Sequence, residues 1–218
     1  MQVSTDDISV IENATRGQSA SATWFSERSW RLTASRFGDI LKATSRRNME
    51  KLCQTIVFAK RLSTKSVVHG LKYEKAAIQA FEAKTGNRVQ PCGLYVDPNN
   101  PFLAASPDGI IGTEQVIEVK CPYRGYGQQI VANKTFPFLE RSPDQKIHLK
   151  HTASYYYQIQ GQLGITGRKS CFFVVYTGSD IFMEEIAFDS EYWAVCMVPR
   201  LALFYQKHLR PYVALHCF

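Results

Sequence analysis

The sequence predicts an α/β fold, a central mixed β-sheet flanked by helices. Three observations carry this. Helix-like segments fill the chain from Trp24 to Lys84, the period changes to that of strands between Val89 and Cys121, and a helix, a hairpin and a last helix follow. The 218 residues suit one ordinary domain with a sizeable core.

Taken in order, residues Met1 to Ala22 are rich in Ser, Thr, Asp and Gln without apolar periodicity and read as a flexible leader, so a single domain is expected over 23–218. Thr33 or Ser35 can cap a short helix carrying Phe37, Ile40 and Leu41. A second helix is expected from Asn48 to Arg61, with Leu52, Ile56 and Ala59 or Lys60 at helical spacing. A third runs from Val68 to Lys84, burying Leu71, Ile78 and Phe81, with Gly86 as its stop. Val89–Val96, Phe102–Ile111 and Val116–Cys121 read as strands separated by turn-forming stretches. Cys121–Asp144, rich in Gly, Pro and Arg, reads as a long loop. Thr152–Gly164 is helical, Cys171–Tyr176 and Ile181–Phe188 form a hairpin, and a final helix from Asp189 or Ser190 kinks or stops before Pro211.

Composition narrows the function classes. The chain is 45% apolar and 21% charged, as in ordinary globular proteins. It has no apolar run of about 18 residues or more and no basic start followed by an apolar core. No membrane span and no secretion are expected, which favours a cytoplasmic or nuclear protein. The six cysteines are scattered without a CxxC pair, against a disulfide framework or zinc spacing. An iron–sulfur cluster needs four converging thiolates, which spacing alone neither supplies nor forbids. Net charge is +7, and from Arg16 to Lys75 there are 13 Lys/Arg against four acids. Such clustering suits a polyanion binder, with a solvated basic face as the alternative.

The chemistry concentrates in Ser106-Pro107-Asp108-Gly109 and Glu118-Val119-Lys120. Alternate strand residues share a face, so Glu118 and Lys120 point together and Val119 points away. A hairpin reflected about Thr113 sets Asp108 opposite Glu118. Two carboxylates so close repel unless a cation lies between them, and hard oxygen ligands suit Mg²⁺ or Mn²⁺. The alternative is a surface hairpin with a cross-strand salt bridge. Glu74 lies at the edge of an apolar stripe, where an ionised acid needs a metal or a lysine partner. On the following helix Tyr155, Gln158 and Gln162 share one face, either as candidate substrate contacts or lining a wet interface. His148 and His151, three apart with no third ligand nearby, read as loop residues.

In order along the chain, Arg28 with Leu32-Thr33-Ala34-Ser35, His69-Gly70 with Glu74, the Asp108 block, Glu118-Val119-Lys120-Cys121-Pro122, and Tyr155 with Gln158-Ile159-Gln160 resemble the family of phage lambda exonuclease and the YqaJ-type viral recombinase nucleases. The resemblance runs from Trp24 to Tyr176 and implies the PD-(D/E)XK nuclease fold. It implies that Asp108 and Glu118 hold one or two Mg²⁺ or Mn²⁺ ions with the Val119 carbonyl, supported by Glu74. Lys120 and Gln158 would handle the water, and Arg28 and Ser35 would grip a terminal 5′-phosphate. The activity implied is metal-dependent 5′-to-3′ exonucleolytic hydrolysis of linear DNA in recombination or repair. A structure-selective endonuclease and a catalytically silent DNA-binding protein are the alternatives. DNA is the expected partner, and a single-strand annealing recombinase and a homotrimer come only from the resemblance. Two departures stand out: His69 occupies a place where the family often has tryptophan, and nothing beyond Tyr176 matches, so the trimer is not carried over residue by residue.

Overall fold

The computed structural model describes residues 4–58 and 64–217. A capping box opens its first helix, α1 (Thr5–Ala14): Ser4 Oγ accepts from Asp7 N at 3.1 Å and Asp7 Oδ2 accepts from Ser4 N at 3.0 Å. This corrects the expectation of a flexible leader over the described part of 1–22; a local Ser-x-x-Asp start signal was hidden in a polar composition. The segment is also tied down. Gly93 N donates to Glu12 Oε1 at 2.9 Å, Leu94 N to Thr15 Oγ1 at 2.7 Å, and Gln18 Nε2 to the Pro107 carbonyl at 2.8 Å. Glycine is required at 93, because a Cβ there would fall 1.9 Å from the Glu12 carbonyl oxygen.

Next come α2 (Ala22–Arg28), β1 (Leu32–Thr33), α3 (Ala34–Leu41), α4 (Met49–Val57) and α5 (Lys65–Thr85). Phe37, Ile40 and Leu41 are buried as expected. Thr33 takes the N-cap position of α3 without a side-chain cap bond. Asn48 caps α4 by accepting from Lys51 N at 2.8 Å, whereas the expected continuation through Ala59, Lys60 and Arg61 lies outside the described residues. Helix α5 ends at Gly86, whose φ of 74° closes it in the left-handed region. Phe81 is fully buried, but Leu71 is 57% exposed, contrary to expectation, because the buried side of α5 begins only near Ala77.

Pro107 divides what periodicity reads as one strand over Phe102–Ile111. After β2 (Tyr95–Val96), the only regular part of the strand expected over Val89–Val96, β3 (Leu103–Ala105) joins a sheet of order β1-β3-β2. Beyond Ser106-Pro107-Asp108, β4 (Gly109–Ile111) enters a different sheet with β5 (Gln115–Lys120). A proline has no N–H for a ladder, so the chain changes partners there. The expected loop over Cys121–Asp144 contains β6 (Leu139–Arg141), paired antiparallel with β7 (Ile147–Leu149). After α6 (Ser154–Thr166), strands β8 (Ser170–Tyr176) and β9 (Ile181–Ala187) complete the second sheet in the order β4-β5-β8-β9, with β5 and β8 parallel and the outer pairs antiparallel.

The C-terminal helical stretch alternates π turns, Tyr192–Met197 and Tyr205–Leu209, with α7 (Val198–Phe204) and α8 (Arg210–His216). It does not stop before Pro211. Pro199 and Pro211 each follow a π turn in the first turn of the next helix, where the missing N–H is tolerated and the wider turn makes room for the ring. Among the described residues no helix is long and apolar enough to cross a membrane.

Helix α6 lies against α3 and both larger sheets, and it fits because two of its residues have no side chain. A Cβ on Gly161 would meet the Phe37 ring at 2.4 Å, and one on Gly164 would meet Trp193 at 2.4 Å. Gly70 on α5 has nothing within 4 Å of the same construction. Alanine improves helix propensity by about 1 kcal/mol at either place. At Gly161 this is outweighed by overpacking of about 1–3 kcal/mol against a fully buried ring. Calorimetry should therefore show Gly161→Ala lowering Tm by a few degrees and Gly70→Ala raising it. Shifts in the same direction would refute the packing account.

Candidate active site

The hairpin axis does fall at Thr113. Gly112 takes a φ of 56°, and Gly109 pairs with Ile117, Ile110 with Val116 and Ile111 with Gln115. Continuing that register brings Asp108 alongside Glu118: Asp108 N donates to the Ile117 carbonyl at 3.1 Å, and Asp108 Oδ2 accepts from Val119 N at 2.7 Å. The N–H and C=O of a strand residue share one edge, so the Val119 carbonyl is turned to the Asp108 side as well.

Glu118 is 1% exposed, and both its oxygens are held. Oε1 accepts from Gln158 Nε2 at 2.7 Å and from the Lys120 ammonium, and Oε2 accepts from Gln162 Nε2 at 2.6 Å. The two amides come from one face of α6, a turn apart. Gln162 was expected among the substrate contacts; it is instead fully buried and positions Glu118. The Gln-x-x-x-Gln spacing was the available signal. Tyr155, partly exposed, flanks Lys120, whose Nζ lies 4.8 Å from its ring centroid.

Electrostatics bind these groups together. Burial, then Glu118 and Glu74, push the Asp108 carboxyl well above the usual carboxylate range. Burial and the charge of Glu118 likewise raise Glu74, although Lys120 opposes the shift. Burial alone would lower Lys120, but Glu118 and Asp108 outweigh it and hold the ammonium charged. Among the described residues Glu74 has no hydrogen-bond or ion-pair partner; Lys120 acts on it through its charge alone, without the close lysine pair that was the alternative.

The donor set consists of carboxyl oxygens and a carbonyl whose mutual repulsion a divalent cation relieves, which fits Mg²⁺ or Mn²⁺. Among the described residues no three His, Cys, Asp or Glu side chains form a ready-made metal cage, so the fit rests on Asp108, Glu118 and the Val119 carbonyl, with Glu74 in electrostatic reach. The histidines diverge: His148 Nε2 pairs with Glu140 at 3.3 Å and His151 stacks on Tyr156 with centroids 4.2 Å apart. All six cysteines are free.

Arg28 ends α2, and Ser35 lies in the first turn of α3. The Arg28 guanidinium sits 3.9 Å from the Trp24 ring centroid and has no hydrogen-bond or ion-pair partner among the described residues. Burial, then Arg36, lower its pKa to about 10. Ser35, exposed on the first turn of α3, has its hydroxyl 3.3 Å from that of Thr33. Trp24 Nε1 donates to Ser106 Oγ at 2.9 Å, so Arg28 connects through one indole to the turn that carries Asp108. Trp24 carried no sequence signal beyond marking where structure begins.

The chain matches the YqaJ-like viral recombinase domain over residues 23–169, and no curated protein matches its sequence. An alkaline exonuclease (LHK-Exo) from Laribacter hongkongensis is 27% identical, with a TM-score of 0.69 over 88% of this chain and 94% of that one. Two more distant structures share the fold. A phage-related exonuclease from Haemophilus somnus is 13% identical, with a TM-score of 0.58 over 85% of this chain and 94% of that one. The Shutoff and Exonuclease Protein from Kaposi's sarcoma-associated herpesvirus is 12% identical, with a TM-score of 0.62 over 96% of this chain and 73% of that one. The resemblance drawn from the five motif blocks and the expected PD-(D/E)XK-type fold are both borne out, and the chain belongs to the YqaJ-like viral recombinase domain family.

Proposed function

We propose that this protein is a divalent-metal-dependent DNA nuclease that degrades linear DNA from 5′ ends. The observation that carries the reading is the convergence of Asp108, Glu118 and Lys120 around the C-terminal end of β5, with Glu118 fixed by two buried amides. The same LHK-Exo has been solved in complex with dAMP, which supports a nucleic-acid substrate for this chain as well.

In the reaction, water attacks phosphorus, one P–O ester bond breaks, and a phosphate monoester and a hydroxyl result. Mg²⁺ or Mn²⁺ held by Asp108, Glu118 and the Val119 carbonyl would lower the pKa of bound water and neutralise charge on the phosphoryl oxygens. Lys120 Nζ, kept charged beside Glu118, orients the water and stabilises negative charge developing at phosphorus. Gln158, through its amide on Glu118, holds that carboxylate in the orientation in which it would face the metal. Glu74, on α5, would add a further carboxyl charge in support of the metal.

Arg28 supports the end preference. A guanidinium without an anion, repelled by Arg36 and beside the uncapped first turn of α3, suits a terminal phosphate dianion. An internal phosphodiester bears one charge and binds less well. The link from Arg28 through Trp24 to Ser106, two residues before Asp108, supports a grip of this kind near the carboxylates.

Three outcomes test the proposal. Asp108→Ala, Glu118→Gln and Lys120→Ala should each reduce cleavage of end-labelled DNA by about 10²–10³ or more while circular dichroism stays unchanged, and chelator should abolish wild-type cleavage. Full activity in Asp108→Ala or in chelator would sink the metal-dependent mechanism. Glu74→Gln removes one member of a repelling set, so activity should fall while Tm holds or rises; a large loss of Tm with normal turnover would make Glu74 structural. Arg28→Ala should erase the advantage of 5′-phosphorylated over 5′-hydroxyl linear DNA but leave residual metal-dependent cleavage. Equal wild-type rates on linear DNA and covalently closed circles would replace the exonuclease reading with an endonuclease of the same site.

A further inference from the structure

A second feature, adjoining Glu74 and Lys120 in sequence, is not used by the hydrolytic chemistry. Four rings gather where the first half of α5 meets the segment after β5: His69, Tyr73, Tyr123 and Tyr126. Centroids of His69 lie 4.6 Å from Tyr73, 5.5 Å from Tyr123 and 4.8 Å from Tyr126, and Tyr73 lies 4.6 Å from Tyr126. Tyr123 and Tyr126 are 49% and 42% exposed, so their rings combine packing against the cluster with open surface. Neighbouring Val68 and Leu71 are also more than half exposed. An apolar surface of this kind beside a functional site is atypical of a face turned only to water.

Charge distinguishes the occupant. Lys72 Nζ lies 5.1 Å from the Tyr73 ring centroid, and Lys65, Lys75 and Arg124 are exposed around the cluster. Flat aromatic faces bordered by cations suit a chain that alternates flat apolar bases with phosphates, and an apolar protein partner would have no use for the cationic border. Tyr73 packs against the core around Ala77 and Phe81, but packing does not account for His69, whose Nε2 is buried without a partner among the described residues, which costs stability. The cluster is also joined to the site in sequence, since Tyr73 precedes Glu74 and Tyr123 follows Lys120 by three residues.

We infer that His69, Tyr73, Tyr123 and Tyr126 form a stacking cradle for unpaired nucleobases of the strand whose phosphate lies at the carboxylates. The inference rests on the nucleic-acid reading of that site. The cradle binds bases without selecting sequence, because every base presents a similar face, and it requires the strand to arrive there unpaired.

The test separates base stacking from phosphate attraction. In chelator, so that nothing is cut, the affinity of the full chain for a short oligothymidylate is compared with that for an abasic phosphodiester of equal length and charge. Wild type should bind the oligothymidylate about tenfold or more tightly, equivalent to about 1.4 kcal/mol. Combined Tyr123→Ala and Tyr126→Ala should bring the ratio close to one and leave abasic binding unchanged, whereas combined Tyr123→Phe and Tyr126→Phe should retain it. With wild type alone, 2-aminopurine within the oligomer should be quenched on binding, a readout that needs no variant to fold. Equal wild-type affinity for both oligomers, unquenched 2-aminopurine, or a ratio that survives the alanine pair would each overturn the cradle. Lack of cleavage by wild type with Mg²⁺ would instead count against the nuclease reading and leave the affinity comparison standing.

Discussion

The charge of Glu118 must be kept in a place that water does not reach, and much of the architecture follows from this requirement. An ionised carboxylate taken out of water loses several kcal/mol of solvation unless hydrogen bonds and counter-charges replace it. Here Gln158 and Gln162 satisfy one oxygen each and Lys120 supplies the charge. Both amides come from α6, so this helix has to cross β5 at one height and one rotation. The glycines on its other faces, Gly161 against Phe37 and Gly164 against Trp193, let α3 and the C-terminal stretch close over it without displacing the glutamines. The solution is incomplete in one respect: among the described residues Gln162 Oε1 is buried without a partner, a penalty of about 1–3 kcal/mol that aiming the amide nitrogen at Glu118 imposes.

The same geometry shows what kind of information a sequence carries. The β4–β5 hairpin could be read to the residue because a left-handed Gly112 fixes the turn and the period of two then fixes every partner, including Asp108 beside Glu118. The β8–β9 hairpin was equally legible across its glycine-containing turn. Long-range partnerships were not. Nothing local in Phe102–Ile111 shows that its halves belong to different sheets, although Pro107 marks where the break falls. The β6–β7 hairpin is only three residues a side, and its first strand lies within a stretch whose Gly and Pro content resembles loop. Leu71 fitted an apolar stripe by spacing, yet α5 turns that part of itself outward. Gln162 was placed on the correct face of α6, but its burial depends on the sheet beneath, which periodicity in one helix cannot reveal. The capping box of α1 was legible in principle and was outweighed by composition.

The N-terminal segment and Trp24 give the site a support distinct from the strands. Gln18 holds the Pro107 carbonyl, Trp24 holds the Ser106 hydroxyl, and Arg28 stacks on the same indole. Three consecutive residues of the turn at 106–108 are thereby engaged by the N-terminal segment on one side and by β5 on the other. Such bracing limits how far Asp108 can drift and is the type of second layer that keeps reactive groups within a fraction of an ångström of their working positions.

Asp108 also occupies the seam between two sheets, directly after the point at which the chain leaves β3 for β4. Glu118 belongs wholly to the second sheet, while the turn leading to Asp108 is rooted in the first. Asp108 is nevertheless bonded to β5 through both its N–H and its carboxylate, so the crossing from one sheet to the other is completed within one residue of the site. A ligand bridging Asp108 and Glu118 would therefore find both carboxylates on one hairpin already formed, and by mass action its binding free energy would add to the stability of that hairpin and of the crossing anchored to it.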